Sequence, residues 1–437
     1  MASTAVRTGV PSSGLTSLRI TFFAAVVGIF IFNVFASQVI VASIAAGLGL
    51  APTQANLIPT LTALGYAVGL LFIVPLADVV ENRRLVVSMA VTCAGALLLA
   101  GLSHQAALFL ALCFIGGAAS SLIQILVPLV GALTPAAERG RVLGNVMSGL
   151  MLGIMVSRPL ASLVGERFGW RAVYLMAAVL VGAIIVPLNA ALPDRKPASP
   201  IGYRAAVASL GTLFRSEPIL RSNAIAAALV MGAFNVFWTA IASRLAASPF
   251  HLSARGIALF GLVGTTGALS APIMGRLGDR GWTRMASLVA DAAVVGAMLL
   301  ALLAGGTLGG SSPFLGVAGL VVASVLLDFG VVGDQTLGRR AINMLEASAI
   351  GRRNGLFVGI FFLGGAAGSA AVGLAYSFAG WNGVCLAGAA FGLAALFVSA
   401  VFARVGDATS ASTGRMGDTW TPERLTGGLA LAARSKR

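Results

Sequence analysis

The sequence predicts an all-α integral membrane protein built as two pseudo-symmetric six-helix bundles around a central cavity. Three observations carry this expectation. The 437 residues are 58% hydrophobic and only 10% charged, with a mean hydropathy of +0.95, far from the composition of a water-soluble chain. Apolar runs of about 20 residues, each long enough to cross a hydrocarbon core about 30 Å thick as helix, recur twelve times. The chain also repeats itself. Gly140-Arg141-Val142-Leu143-Gly144 returns 211 residues later as Gly351-Arg352-Arg353-Asn354-Gly355, and the same ungapped offset carries Gly153 onto Gly364 and Gly169-Trp170 onto Gly380-Trp381. Parallel repeats related by an axis along the membrane normal are an architecture of secondary transporters, with the substrate site between the copies.

Residues 1–19 are polar and basic and lack the apolar core and cleavage site of a removable signal peptide, so they read as a segment preceding a retained first span. The first bundle, 20–192, holds spans 1 to 6 at 20–48, 55–79, 85–102, 106–133, 142–165 and 170–192. The second, 219–405, holds spans 7 to 12 at 219–247, 253–277, 285–304, 313–337, 354–376 and 381–403. Turn and cap residues mark the short connections: Pro52-Thr53, Pro135, Gly169, Ser253, Ser311-Ser312-Pro313 and Gly380. The linker 193–218 opens on a Pro-rich stretch and continues into a segment whose Val207, Leu210, Leu213 and Phe214 share one helical face, suited to the inner leaflet. The tail 406–437 is polar and rich in Thr, Gly and Arg, and is expected to be mostly disordered.

A net charge of +15 suggests nucleic acid in a soluble protein, but its placement gives another meaning. With both termini on the cytoplasmic side, 24 of the 29 basic residues fall in inner segments, as the positive-inside rule requires of a multi-pass protein of the cytoplasmic membrane. The excess is topological, and no nucleic-acid partner is expected. Cys93, Cys113 and Cys385 lie in apolar spans as small hydrophobes, and His104 and His251 stand alone, so no metal site or hydrolase is predicted. No phosphate-cradling Gly-Lys-Ser/Thr loop is present, so no cofactor is expected and the energy must come from a gradient. Small residues four apart, Gly65/Gly69, Gly149/Gly153, Gly355/Gly359 and Gly364/Gly368, permit close helix contact in spans 2, 5 and 11.

Three blocks resemble the major facilitator superfamily, and within it the drug:proton antiporter and arabinose-efflux-like branch. The loop Pro75-Leu76-Ala77-Asp78-Val79-Val80-Glu81-Asn82-Arg83-Arg84 looks like the family's acidic-basic motif and recurs as Gly275-Arg276-Leu277-Gly278-Asp279-Arg280-Gly281-Trp282-Thr283-Arg284. Span 5 carries a Gly-and-Pro run, Gly149 to Pro159, similar to the motif that marks antiporters, here with Ser157-Arg158 before the proline. Asn33-Val34-Phe35-Ala36-Ser37-Gln38 and Leu327-Asp328-Phe329-Gly330-Val331 complete the likeness, while span 4 departs from the family in lacking an arginine. The resemblance implies alternating access between two rocking bundles. It also implies a conformational latch: Asp78 with Arg83 and Arg84 against the start of span 11, and Asp279 with Arg280 and Arg284 against span 5.

Ionisable residues inside a span cost roughly 2.5 to 3.5 kcal/mol at the bilayer centre and are functional by default. Asp328, about fifteen residues into span 10, is the expected proton site. Arg158 is a plausible partner for an acid or an anionic substrate, although its depth differs from that of Asp328 by roughly 10 Å. Asp291 is expected to pair locally and Asp334 to reach the headgroups. Asn33, Gln38, Gln124, Asn235 and Trp238 lie at middle depth in the spans that line the family's cavity. There they either bind substrate or hydrogen-bond between helices. The sequence thus predicts a proton-coupled exporter of small organic compounds, acting in the bilayer as a monomer. An uptake symporter or facilitator is the alternative, and a non-transporting sensor is less favoured because no soluble signalling domain is present.

Overall fold

A computed structural model describes residues 16–135, 138–194, 202–263, 267, 270–345 and 350–417. Every regular element among them is helical, because a backbone in hydrocarbon must satisfy its own hydrogen bonds. Ten helical runs are long and apolar enough to cross a membrane. One of these, Gly351–Phe402, is broken at Ala379 (φ −147°) and Gly380 (φ +54°), so it supplies spans 11 and 12. The eighth predicted span is described as two shorter helices, Ala254–Val263 and Ser270–Asp279. Gly169, at φ +82°, turns span 5 into span 6 where the sequence places the boundary. The last helix runs on to Gly417, past the expected end of span 12: a lone Gly406 costs a helix only about 1 kcal/mol and no proline follows it.

Close approaches build each bundle. A Cβ on Gly149 or Gly153 of span 5 would strike the carbonyl oxygens of Ala24 and Gly28 in span 1, and one on Gly364 or Gly368 of span 11 would strike those of Ala228 and Gly232 in span 7. The two bundles meet along spans 2 and 11 and along spans 5 and 8. In the first seam the Tyr66 and Phe362 rings pack at 4.4 Å. In the second, a Cβ on Gly261 would lie 3.3 Å from the Arg158 Cβ.

The linker helix, Tyr203–Ser216, buries Ala206 and Leu210 and half-buries Val207, Leu213 and Phe214, the face its sequence predicts. It straps the two bundles together at one end. The Tyr203 hydroxyl donates to the Phe72 carbonyl at 2.9 Å, and Arg352 donates to the Ser209 hydroxyl at 2.8 Å. Beside it, Arg353 donates to both oxygens of Glu217 at 2.7–2.9 Å, with the Arg side chain 7% exposed. Glu217 occupies the N-cap position of span 7, at the end of the helix where the dipole favours a carboxylate. Arg353→Gln leaves that carboxylate unpaired and is expected to cost about 2 kcal/mol, read as a lowered unfolding temperature in detergent. An unchanged temperature would show the pair to be ornamental.

The ion pairs near the two acidic-basic loops differ from those the resemblance implies. Arg83 bonds Asp194 at 2.5 Å and Asn189 at 2.9 Å, and Arg84 bonds Glu81 at 2.9 Å. Asp78 is exposed and has no ion pair among the described residues, since the arginines at the start of span 11 are engaged by the linker helix and Glu217. Asp279 pairs with Arg340 of the neighbouring span 10 at 3.0 Å. Arg280 is exposed, and the Arg284 Nε has no hydrogen-bond partner among the described residues.

Candidate functional site

The centre of the molecule is a polar network that crosses from one bundle to the other. Span 1 tightens from α-helix to a 3₁₀ turn at Ser37–Val39, and this turn carries Gln38 to the seam. Gln38 Nε2 donates to Asn235 Oδ1 of span 7 at 2.9 Å, and Asn235 Nδ2 in turn donates to the Met231 carbonyl at 3.1 Å. Ser369 of span 11 reaches the same Asn235 oxygen at 3.4 Å. From span 5, Arg158 donates through Nε and Nη2 to Gln38 Oε1 at 3.3 and 3.2 Å. Gln38, Arg158, Asn235 and Asp328 are each 2–3% exposed, so the network is closed to water.

Trp238 organises the charges. Its ring face lies 4.0 Å from the Arg158 guanidinium carbon, and its Nε1 donates to Asp328 Oδ1 at 3.1 Å. Phe234 and Phe35 complete an aromatic box around the guanidinium at 5.3 and 5.6 Å. Such contacts are worth ~2 kcal/mol or more when desolvated. Asp328 and Arg158 therefore flank one indole without forming an ion pair. On span 8, Gly261 faces Arg158 and Gly267 faces Asp328, so the two charges meet different parts of this span.

Of the seven residues singled out for proton coupling and substrate, five meet here: Arg158, Asp328, Gln38, Asn235 and Trp238. Asn33 does not. It turns into the first bundle, donating to the Ser120 hydroxyl at 3.0 Å. Gln124 is half-buried and approaches the Tyr66 hydroxyl instead. Five residues on one helix are about 140° apart around its axis, so Asn33 and Gln38 cannot share a face. The residues missed are Phe35, Phe234 and Ser369. The run Phe234-Asn235-Val236-Phe237-Trp238 signals the aromatic wall, whereas Ser369 is marked in the sequence only as the repeat counterpart of Arg158.

Two further acids depart from expectation. Asp291 of span 9 is fully buried, facing Ser399 and Asp334 without either oxygen meeting hydrogen-bond geometry, so no partner among the described residues neutralises it. Asp334 is 5% exposed, because span 10 runs on for nine more residues to Asn343 and keeps it inside the bundle.

Two bundles joined by a strap, with a closed polar network at their seam, are the architecture of a multi-pass membrane transporter. Residues 20–334 match the model of the Major Facilitator Superfamily, and the chain belongs to that superfamily. It is 35% identical over 388 residues to the uncharacterised transporter YgaY of Escherichia coli O157:H7, covering 89% of this chain and 96% of that protein. The fold is similar to that of the peptide transporter POT in complex with sulfate (TM-score 0.67, 17% identity, 89% of this chain and 94% of that one). It is also similar to a bacterial homolog of the human lysosomal transporter Spinster in an inward-facing, unoccupied conformation (TM-score 0.64, 17% identity, 94% and 100% coverage). The protein is a membrane transporter, not an enzyme.

Proposed function

We propose that the chain moves small organic compounds across the cytoplasmic membrane by proton-coupled alternating access, with Asp328 carrying the proton. One observation carries the reading. Asp328 is buried at the seam, held by the neutral Trp238 N–H and, among the described residues, in no ion pair, so its proton can come and go without breaking one. An intramembrane acid in such a position is a functional group by default. The closed network would open toward one side at a time as the bundles rock about the span 2/11 and span 5/8 seams.

Export is the direction that the span 5 run Gly149 to Pro159 favours, through its likeness to the motif that marks antiporters. Cotransport is the second reading, favoured by Arg158: protonating Asp328 leaves the guanidinium without a facing negative charge, so a proton and a substrate would be loaded together. Transport in proteoliposomes under an imposed pH gradient separates them. Substrate moving against the proton flow supports export, movement with it supports cotransport, and movement indifferent to the gradient overturns proton coupling.

A further inference from the structure

Arg158 is a buried cation in search of an anion. Its Nε and Nη2 share a single neutral oxygen, Gln38 Oε1, and no carboxylate lies within ion-pair distance among the described residues. A guanidinium carries five N–H donors in a planar fork that matches a carboxylate edge to edge. A buried charge of this kind is stabilised chiefly by a hydrogen-bonded counter-charge. Asp328 is not placed to supply one. The Trp238 indole stands between, binding Asp328 at its N–H edge and Arg158 on its face. Around the guanidinium are Phe35 and Phe234, apolar surface for the rest of a ligand. The sequence offset of 211 residues places uncharged Ser369 opposite Arg158, so the positive charge belongs to one bundle and has no symmetric structural duty.

We infer that the site takes small organic monocarboxylates, with the carboxylate on Arg158 and an apolar or aromatic body against Phe35 and Phe234, and that this anion is loaded together with a proton on Asp328. The inference rests on the central network being the transport site and on the cotransport reading of its direction. The sign follows from charge. With Asp328 ionised, the site holds one positive and one negative group, and an incoming anion meets Asp328 across a single ring. With Asp328 neutral, the anion restores the balance against Arg158. Each ligand therefore favours the other. Arg158 is the charged group that acts on Asp328. The other charges on span 10 and on the elements packed against it, among the described residues, are Asp334, Arg339 and Arg340 on span 10, Arg221 and Arg244 in span 7, Arg255, Arg276 and Asp279 in span 8, Arg284 and Asp291 in span 9, and Arg352 and Arg353 at the start of span 11.

The test uses the purified full chain in detergent and a panel of aliphatic and aromatic monocarboxylates, each paired with its neutral primary amide and its primary amine. Carboxylates are expected to raise the unfolding temperature and to bind at least about tenfold more tightly than their amides and amines. Arg158→Gln removes that preference, and Arg158→Lys, a point charge without the fork, retains part of it. In weak buffer, carboxylate binding takes up about one proton per site, and affinity falls as pH rises; Asp328→Asn binds without uptake. Equal binding of amides or amines, no binding of any carboxylate at millimolar concentration, or proton release overturns the proposal. Should Arg158→Gln not fold, the paired ligands and proton uptake of the unsubstituted protein decide alone. Gradient-driven transport persisting in Asp328→Asn would remove the proton carrier while leaving the carboxylate preference standing, so the two readings fail separately.

Discussion

Asp328→Asn is expected to abolish uphill transport while leaving downhill exchange. The substitution is nearly isosteric, and its side-chain oxygen still accepts from Trp238 Nε1, the bond that now measures 3.1 Å, so the indole and the Arg158 stacked upon it stay in place. What is lost is the ability to gain and release a proton. One proton moving down a difference of about 1.7 pH units supplies about 2.3 kcal/mol, an accumulation ratio of roughly 50-fold, and the variant should fall to a ratio near one. In proteoliposomes loaded with a transported compound, labelled exchange should continue and pH-driven accumulation should vanish. Accumulation at the unsubstituted level would sink the assignment of Asp328. Loss of both exchange and accumulation, with an unchanged unfolding temperature, would make Asp328 a substrate-binding group in place of a proton carrier.

The two charges of this site were legible because a charge in an apolar run has no bland explanation. Their relation was not. Position along a helix gives depth but not rotation, so a separation of roughly 10 Å argued against a direct pair without revealing that an indole fills the gap. Rotation also decided the amides. Gln38 reaches the seam because the chain tightens into a 3₁₀ turn there, while Asn33, on the unperturbed helix, points to Ser120. The ion pairs beside the acidic-basic loops were missed for a different reason. Nearby carboxylates and arginines compete, and which wins depends on the linker helix and on the neighbour of span 8, neither of which a loop motif encodes.

The repeat itself was legible to within one helical turn. An offset of 211 holds at Gly140/Gly351 and at Trp170/Trp381, yet the packing pairs Gly149 and Gly153 with Gly364 and Gly368, an offset of 215. Four residues are close to one turn, so the slip keeps the small residues on the same stripe while moving them along it. By this register Arg158 corresponds to Gly373, again uncharged, and the asymmetry of the site survives.

That register makes Gly364→Val the substitution expected to damage the fold most. A Cβ at Gly364 would lie far inside contact distance of the Ala228 carbonyl oxygen, and one at Gly368 would meet the Gly232 carbonyl likewise. The obstacle is backbone, which cannot swing aside as a side-chain tip does, so spans 7 and 11 must separate along their shared stripe. Overpacking a yielding core costs about 1–3 kcal/mol, and an unyielding backbone contact should exceed that. The separation also disturbs Asn235 and Ser369, which bond across the same pair of helices at 3.4 Å. Gly355→Ala is the control: a Cβ there meets nothing within 4 Å, and alanine favours the helix by up to about 1 kcal/mol. Folded yield by size-exclusion chromatography and unfolding temperature in detergent read the difference directly. Gly364→Val should give little monodisperse protein, and Gly355→Ala an unchanged or raised temperature. A Gly364→Val protein as stable as its parent would show that spans 7 and 11 do not pack backbone to backbone, and with that the register of the second bundle would be lost.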